Sequence, residues 1–150
     1  MRDPAFVAYA INTLLLTLNL TVLWVLSGAK RGGSKTVMNP EDANTVAKGA
    51  TVVDVDPPEV ARVLRAHTNA LVNIVPFLFL ALVFVMLGPS GGEAWILLSV
   101  FTGFRYLHSI AYVGGRQPFR TIFFVGGLLT QVAVMVEIVR ALLTSPAGPG

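Results

Sequence analysis

The sequence predicts an all-α integral membrane protein, a bundle of four transmembrane helices, and three observations carry that expectation. Of 150 residues, 54% are hydrophobic and only 13% are charged, against about 25% charged in an ordinary soluble domain. Apolar runs recur near residues 5–27, 70–87, 94–113 and 119–143, each approaching the roughly 20 residues a helix needs to cross a bilayer. A soluble core of this size has no room for so much apolar surface. We therefore expect one membrane domain over 1–150, with helices at about 5–28, 59–87, 94–113 and 119–143 and a polar loop at 29–58.

The first run, AFVAYAINTLLLTLNLTVLWVLSG, is longer than a typical signal core and lacks a basic leader and a small-residue cleavage site, so a retained anchor is expected. The polar segment after it holds Lys30, Arg31, Lys35 and Lys48. Pro57 and Pro58 suit the first turn of the second helix, where a missing N–H is not needed. From Glu59 to Leu87 that helix would be about 43 Å long at 1.5 Å per residue, more than the roughly 30 Å of hydrocarbon. Its first turns must project into the interface, and Pro76 is expected to kink it lower down.

GPSGG closes the second helix, and the third follows with Trp95 and Tyr112 as aromatic anchors at its two ends. The fourth opens at Pro118 and ends near Leu143, before an SPAGPG tail expected to fray. The connection at 88–93 has no Lys or Arg, whereas GGRQPFR at 114–120 carries Arg116 and Arg120. By the positive-inside rule the first and third connections are cytoplasmic and both termini lie opposite.

Several functions are excluded by what is missing. Without cysteine there are no disulfides, no thiolate metal sites and no cysteine nucleophile, so any thiol chemistry needs a borrowed thiol. His67 and His108 are 41 positions apart and neither sits among acids, so no metal is expected. No Gly-rich phosphate loop or nucleophile elbow occurs, and the formal charge of +3 is modest. No nucleic-acid partner is expected.

The polar residues follow a pattern. Arg62, Arg65, Asn69 and Asn73 are spaced by three, four and four, which places them on one helix face. Arg105, His108 and Tyr112 repeat the spacing on the third helix, and Arg120 and Thr121 open the fourth at the same level. The pattern suggests one cationic pocket, suited to a small anion with carboxylates, which guanidinium groups clamp in bidentate fashion.

Plainer roles compete with that one. Arg62 and Arg116 suit snorkelling to phosphate headgroups. His67 and His108 suit helix packing, and Tyr112 serves equally as interface anchor or ligand contact. Gln131 suits packing between helices, and Glu137 suits solvation or pairing with Arg140. Arg105 stands apart: about eight residues inside its helix, where a charge costs roughly 2.5–3.5 kcal/mol, it should face a partner or a wet cavity.

The segments RVLRAHTNALVNIVPFLFL, NPEDA at 39–43 and FRYLHSIAYVGGRQPFRT at 104–121, with the four-helix layout, resemble the MAPEG family, the membrane-associated proteins of eicosanoid and glutathione metabolism. The resemblance implies a homotrimer that binds glutathione between subunits near the cytoplasmic side and receives a lipophilic electrophile from the bilayer. It matches Arg65 and Asn69 to the glutathione motif of the second helix, with Asn73 as an adjacent polar residue. Arg31 and Lys35 match basic residues before NPED, and Arg105, His108 and Tyr112 match the third-helix set. Arg120 matches the arginine that holds the glutathione sulfur as thiolate, and Asp42 keeps the place of a proton-handling acid.

The chain also departs from the family pattern. Val72 stands where the motif ends in an acid, Thr121 where a serine lies beside the sulfur, and Phe124 where a tyrosine lines the same pocket. The expected function is thus a glutathione-dependent transferase, peroxidase or isomerase acting on lipophilic electrophiles or peroxides among membrane lipids. The alternative is a non-catalytic lipid-binding adaptor on the same scaffold, which Val72 favours. A small proton-coupled exporter is a third class, and it would want a membrane-embedded acid, where the first helix offers only Asn12 and Asn19.

Overall fold

The computed structural model describes residues 3–144, so the SPAGPG tail lies outside the described residues. Asp3 caps α1 (Pro4–Ser34): its carboxylate accepts the Ala5 N–H at 3.0 Å, and Pro4 occupies the first turn. The expected end near residue 28 is passed, and the helix continues through Gly32 and Gly33 to Ser34. Two interactions extend it past these weak helix formers. The Ser34 hydroxyl donates to the Arg31 carbonyl at 2.9 Å, and Arg31 is itself held by Asp56 at 2.8 Å. Lys35 then turns left-handed at φ 52° and closes the helix.

The polar segment has structure of its own. β1 (Thr36–Val37) pairs in parallel with β2 (Thr51–Val52), and the short α2 (Pro40–Asn44) lies between them in sequence. Val37 is the buried side chain of this small unit.

α3 (Pro58–Met86) starts behind Pro57 and runs on through Pro76, whose ring leaves the Val72 carbonyl without its helical donor. α4 (Gly91–Val113) begins three residues before the expected position because Ser90 caps it, accepting the Glu93 N–H at 3.2 Å. Ser90 and Glu93 have capping-box spacing. α5 (Phe119–Thr144) follows directly on Pro118.

α4 packs against α1, α3 and α5, and α1 packs against α3, whereas α1 and α5 do not meet. Lipid tails are as apolar as leucine, so close packing and hydrogen bonds, rather than the hydrophobic effect, must hold such helices together. Both are present. Buried Ala5, Ala8, Ala66, Ala70, Ala81 and Ala94 line the helix contacts. A side chain at Gly91 would strike the Pro4 ring at 2.6 Å, and one at Gly126 would strike the Phe104 ring at 2.5 Å. At the centre Phe77 stacks on Phe101 with ring centroids 3.4 Å apart.

Three hydrogen bonds tie α1 to α4. Asn12 donates to Ser99 at 3.4 Å, Ser109 donates to Asn19 at 3.0 Å, and the Tyr106 hydroxyl donates to the Leu15 carbonyl at 2.7 Å. The two asparagines of α1 are therefore committed to helix contacts. Leu14, Trp24, Phe79, Met86 and Leu129 face outward, and all four long helices are long and apolar enough to cross a membrane.

Candidate functional site

Where α3, α4 and α5 meet, a cavity of about 300 Å³ is lined by Asn69, His108, Tyr112, Arg120, Thr121 and Phe124. Helical spacing assembles it. His108 and Tyr112 lie one turn apart on α4, and Arg120, Thr121 and Phe124 occupy the first turns of α5. The Arg120 guanidinium carbon sits 4.8 Å from the Tyr112 ring centre, within cation–π range. His108 meets the Tyr112 ring edge-on at 5.6 Å and the Phe124 ring at 6.1 Å. The Tyr112 ring thus supports the guanidinium, and His108 packs against that ring in turn.

Gln117 completes this arrangement, and the sequence pattern missed it. With its amide oriented to satisfy both neighbours, its oxygen accepts from Arg120 Nη2 at 2.6 Å and Nε at 3.3 Å, while its nitrogen donates to Thr121 Oγ1 at 3.3 Å. The signal was present as spacings of three and four to Arg120 and Thr121. An amide orients the guanidinium and leaves its charge intact.

Some polar atoms here have no protein partner. Asn69 Oδ1 is buried and unbonded, as are Arg105 Nε and Nη2 and Thr102 Oγ1. Arg105 is only 2% exposed and lies 5.9 Å from both the Phe101 and Phe124 ring centres, with Gly127 of α5 alongside. Among the described residues the two ion pairs are Arg31–Asp56 and Arg140–Glu137, so no carboxylate neutralises Arg105 or Arg120. A buried donor left unmade costs about 1–3 kcal/mol, which water or a ligand would recover.

The residues expected at one cationic site do not all line one cavity of this chain. Arg31 and Lys35, with Lys48, line a second cavity of about 420 Å³ beside the β1–β2 unit. Asp42, on α2, accepts from the Asn39 amide at 3.2 Å and lines neither cavity. On α3, Arg65 points outward, and Asn73 spends its amide on the Asn69 carbonyl at 2.8 Å. Val72 is 61% exposed on the outer side of the same helix. His67 is half-buried, and among the described residues no group of three His, Cys, Asp or Glu gathers as for a metal ion.

The chain matches the family model described as "MAPEG family" over residues 9–140. It is 34% identical to the prostaglandin E synthase of Homo sapiens over 139 residues, covering 92% of this chain and 90% of the relative. The Rattus norvegicus prostaglandin E synthase is 39% identical over 112 residues, 74% of this chain and 71% of the relative. Microsomal glutathione S-transferase 1 of Homo sapiens is 34% identical over 130 residues, 84% of each. With four long apolar helices and these matches over most of its length, this chain is an integral, multi-pass membrane protein and belongs to the MAPEG family.

Proposed function

We propose that the protein is a glutathione-dependent membrane enzyme, a transferase, peroxidase or isomerase acting on lipophilic electrophiles or peroxides. The observation that carries this reading is Arg120: a guanidinium seated on Tyr112, oriented by Gln117, facing a cavity and free of any carboxylate. The names of the relatives, prostaglandin E synthase and glutathione S-transferase, support it. Glutathione, when bound, supplies the nucleophilic sulfur that the cysteine-free chain lacks.

The residues fit an anionic thiol peptide. Arg120 holds negative charge at the sulfur, and Thr121 offers a hydroxyl beside it. A charge-assisted hydrogen bond contributes roughly 1.5–3 kcal/mol, comparable with the about 2.7 kcal/mol that two pKa units represent. One arginine is thus enough in magnitude to keep a cysteine-like thiol ionised at neutral pH. The unpartnered Asn69 Oδ1 and the Arg105 donors supply polar contacts within the bundle, while His108 and Tyr112 line the wall.

A cavity of about 300 Å³ is at the lower end of the roughly 300–1,000 Å³ of ligand pockets, and Arg65 lies outside it. A homotrimer reconciles these facts. A neighbouring protomer would close the site over Arg65 and the outward faces of α3, bringing basic residues such as Arg31 and Lys35 and the acid Asp42 toward the same ligand. The first and third connections then face the cytoplasm, where glutathione is available, and the electrophile enters from the bilayer.

A second reading, a lipid-binding adaptor without catalysis, is favoured by Val72, which removes the motif acid and leaves the peptide's amino group without its partner. Calorimetry with glutathione, followed by conjugation of a lipophilic electrophile, separates the two. Binding with turnover supports the enzyme; absence of both in the intact protein leaves the adaptor.

A further inference from the structure

A different part of the molecule has a groove that the proposed reaction does not use. On the α1–α4 side lies a groove of about 440 Å³ walled by Val22, Leu23, Leu26, Tyr106, Ile110 and Val113. Its two lining hydroxyls are already engaged: Ser109 donates to Asn19 Oδ1 at 3.0 Å, and Tyr106 donates to the Leu15 carbonyl at 2.7 Å. An occupant therefore meets a largely apolar surface. It shares no lining residue with the Arg120 cavity.

The rim is the opposite in character. Arg116 closes the groove at the α4–α5 corner, folded back over Gly114 with its Nε 3.7 Å from where a side chain there would begin. Arg62 of α3 reaches the same corner, its guanidinium lying against Gly115, where φ is +67° and a side chain would collide with Nη1. Neither arginine has an ion-pair partner among the described residues. Arg116 thus stands at the mouth of an apolar slot, with Arg62 close by against Gly115.

The groove follows the last two turns of α4, about 10 Å from Tyr106 to Val113 at 1.5 Å per residue, and Arg116 stands just beyond the helix end. We propose that this groove binds one anionic phospholipid, its phosphate on Arg116 and Arg62 and an acyl chain running down the groove to the Asn19–Ser109 pair. A second protein copy would need to bring carboxylates to this rim, and among the described residues no acid lines the groove itself. A zwitterionic lipid would leave one net positive charge more at the corner.

Native mass spectrometry of the intact protein, stripped of lipid and titrated with phosphatidylglycerol or phosphatidylcholine, tests the assignment. Each basic residue near the surface favours anionic lipid about fivefold, so two give roughly thirtyfold tighter binding of the first phosphatidylglycerol. The pair Arg62→Ala with Arg116→Ala should abolish that preference, and the Lys pair should keep most of it. Ile110→Trp, which fills the groove, should remove tight binding while helical content by circular dichroism stays unchanged. The assignment is overturned if the alanine pair retains the preference or if Ile110→Trp binds phosphatidylglycerol normally. It is equally overturned if oleate competes as well as the phospholipid, or if Ile110→Cys crosslinks to a second copy.

Discussion

The Arg120 guanidinium lies 4.8 Å above the Tyr112 ring, so the side chain on which the proposed chemistry depends rests on an aromatic face. A cation–π contact of this kind contributes about 0.5–2 kcal/mol, and it comes from the ring, not the hydroxyl. Tyr112→Phe should therefore leave kcat/KM nearly unchanged, whereas Tyr112→Leu should lower it by roughly 2- to 30-fold, the same range expressed as a rate. Steady-state kinetics with glutathione and a lipophilic electrophile read the difference; a large loss in Tyr112→Phe would move the role to the hydroxyl.

Gln117 orients Arg120 through a 2.6 Å contact without adding charge. Gln117→Ala should cost about 1 kcal/mol of orientation, a fall of roughly fivefold in kcat. Gln117→Glu should be worse than alanine, because a carboxylate at this distance neutralises the guanidinium. If the glutamate variant outperforms alanine, charge on Arg120 is not what the reaction uses.

Arg105 is buried with Nε and Nη2 unpartnered. Replacing an uncompensated buried charge with an apolar side chain of similar length tends to stabilise, so Arg105→Met should raise the Tm of the ligand-free protein by a few degrees. The further rise in Tm caused by glutathione should shrink in the same variant, because ligand stabilisation scales with affinity. Thermal scans with and without glutathione give both numbers, and a lower ligand-free Tm would show that the charge already has a partner.

Val72 faces outward, 61% exposed. If a neighbouring protomer covers that face, Val72→Glu restores an acid for the peptide's amino group and should tighten glutathione about tenfold, as an added charge-assisted bond would. Calorimetry on the assembled protein checks this. Unchanged affinity would place Val72 against lipid and remove the argument for a shared site there.

Much of this architecture is legible in the sequence because hydropathy reports directly on the solvent around a helix. The four spans and the juxtaposition of Asn69, His108, Tyr112, Arg120 and Thr121 follow from runs of apolar residues and steps of three and four. Three things do not. α1 continues through Gly32 and Gly33 because Arg31 is anchored by Asp56, a partner 25 residues away that no local propensity reveals. The parallel pairing of Thr36 with Thr51 is likewise a long-range contact between segments too short to show alternation. Separation of Arg31 and Lys35 from the Arg120 cavity depends on where the polar segment folds back, which the stripe on α3 does not encode.

The most direct measurement is the ultraviolet absorption of the bound glutathione sulfur in wild type and in Arg120→Ala, at saturating glutathione and neutral pH. Ionised sulfur should be seen with the wild-type protein and should fall at least tenfold in the variant, alongside turnover. An absorption band and a rate that survive the loss of this guanidinium would contradict the account.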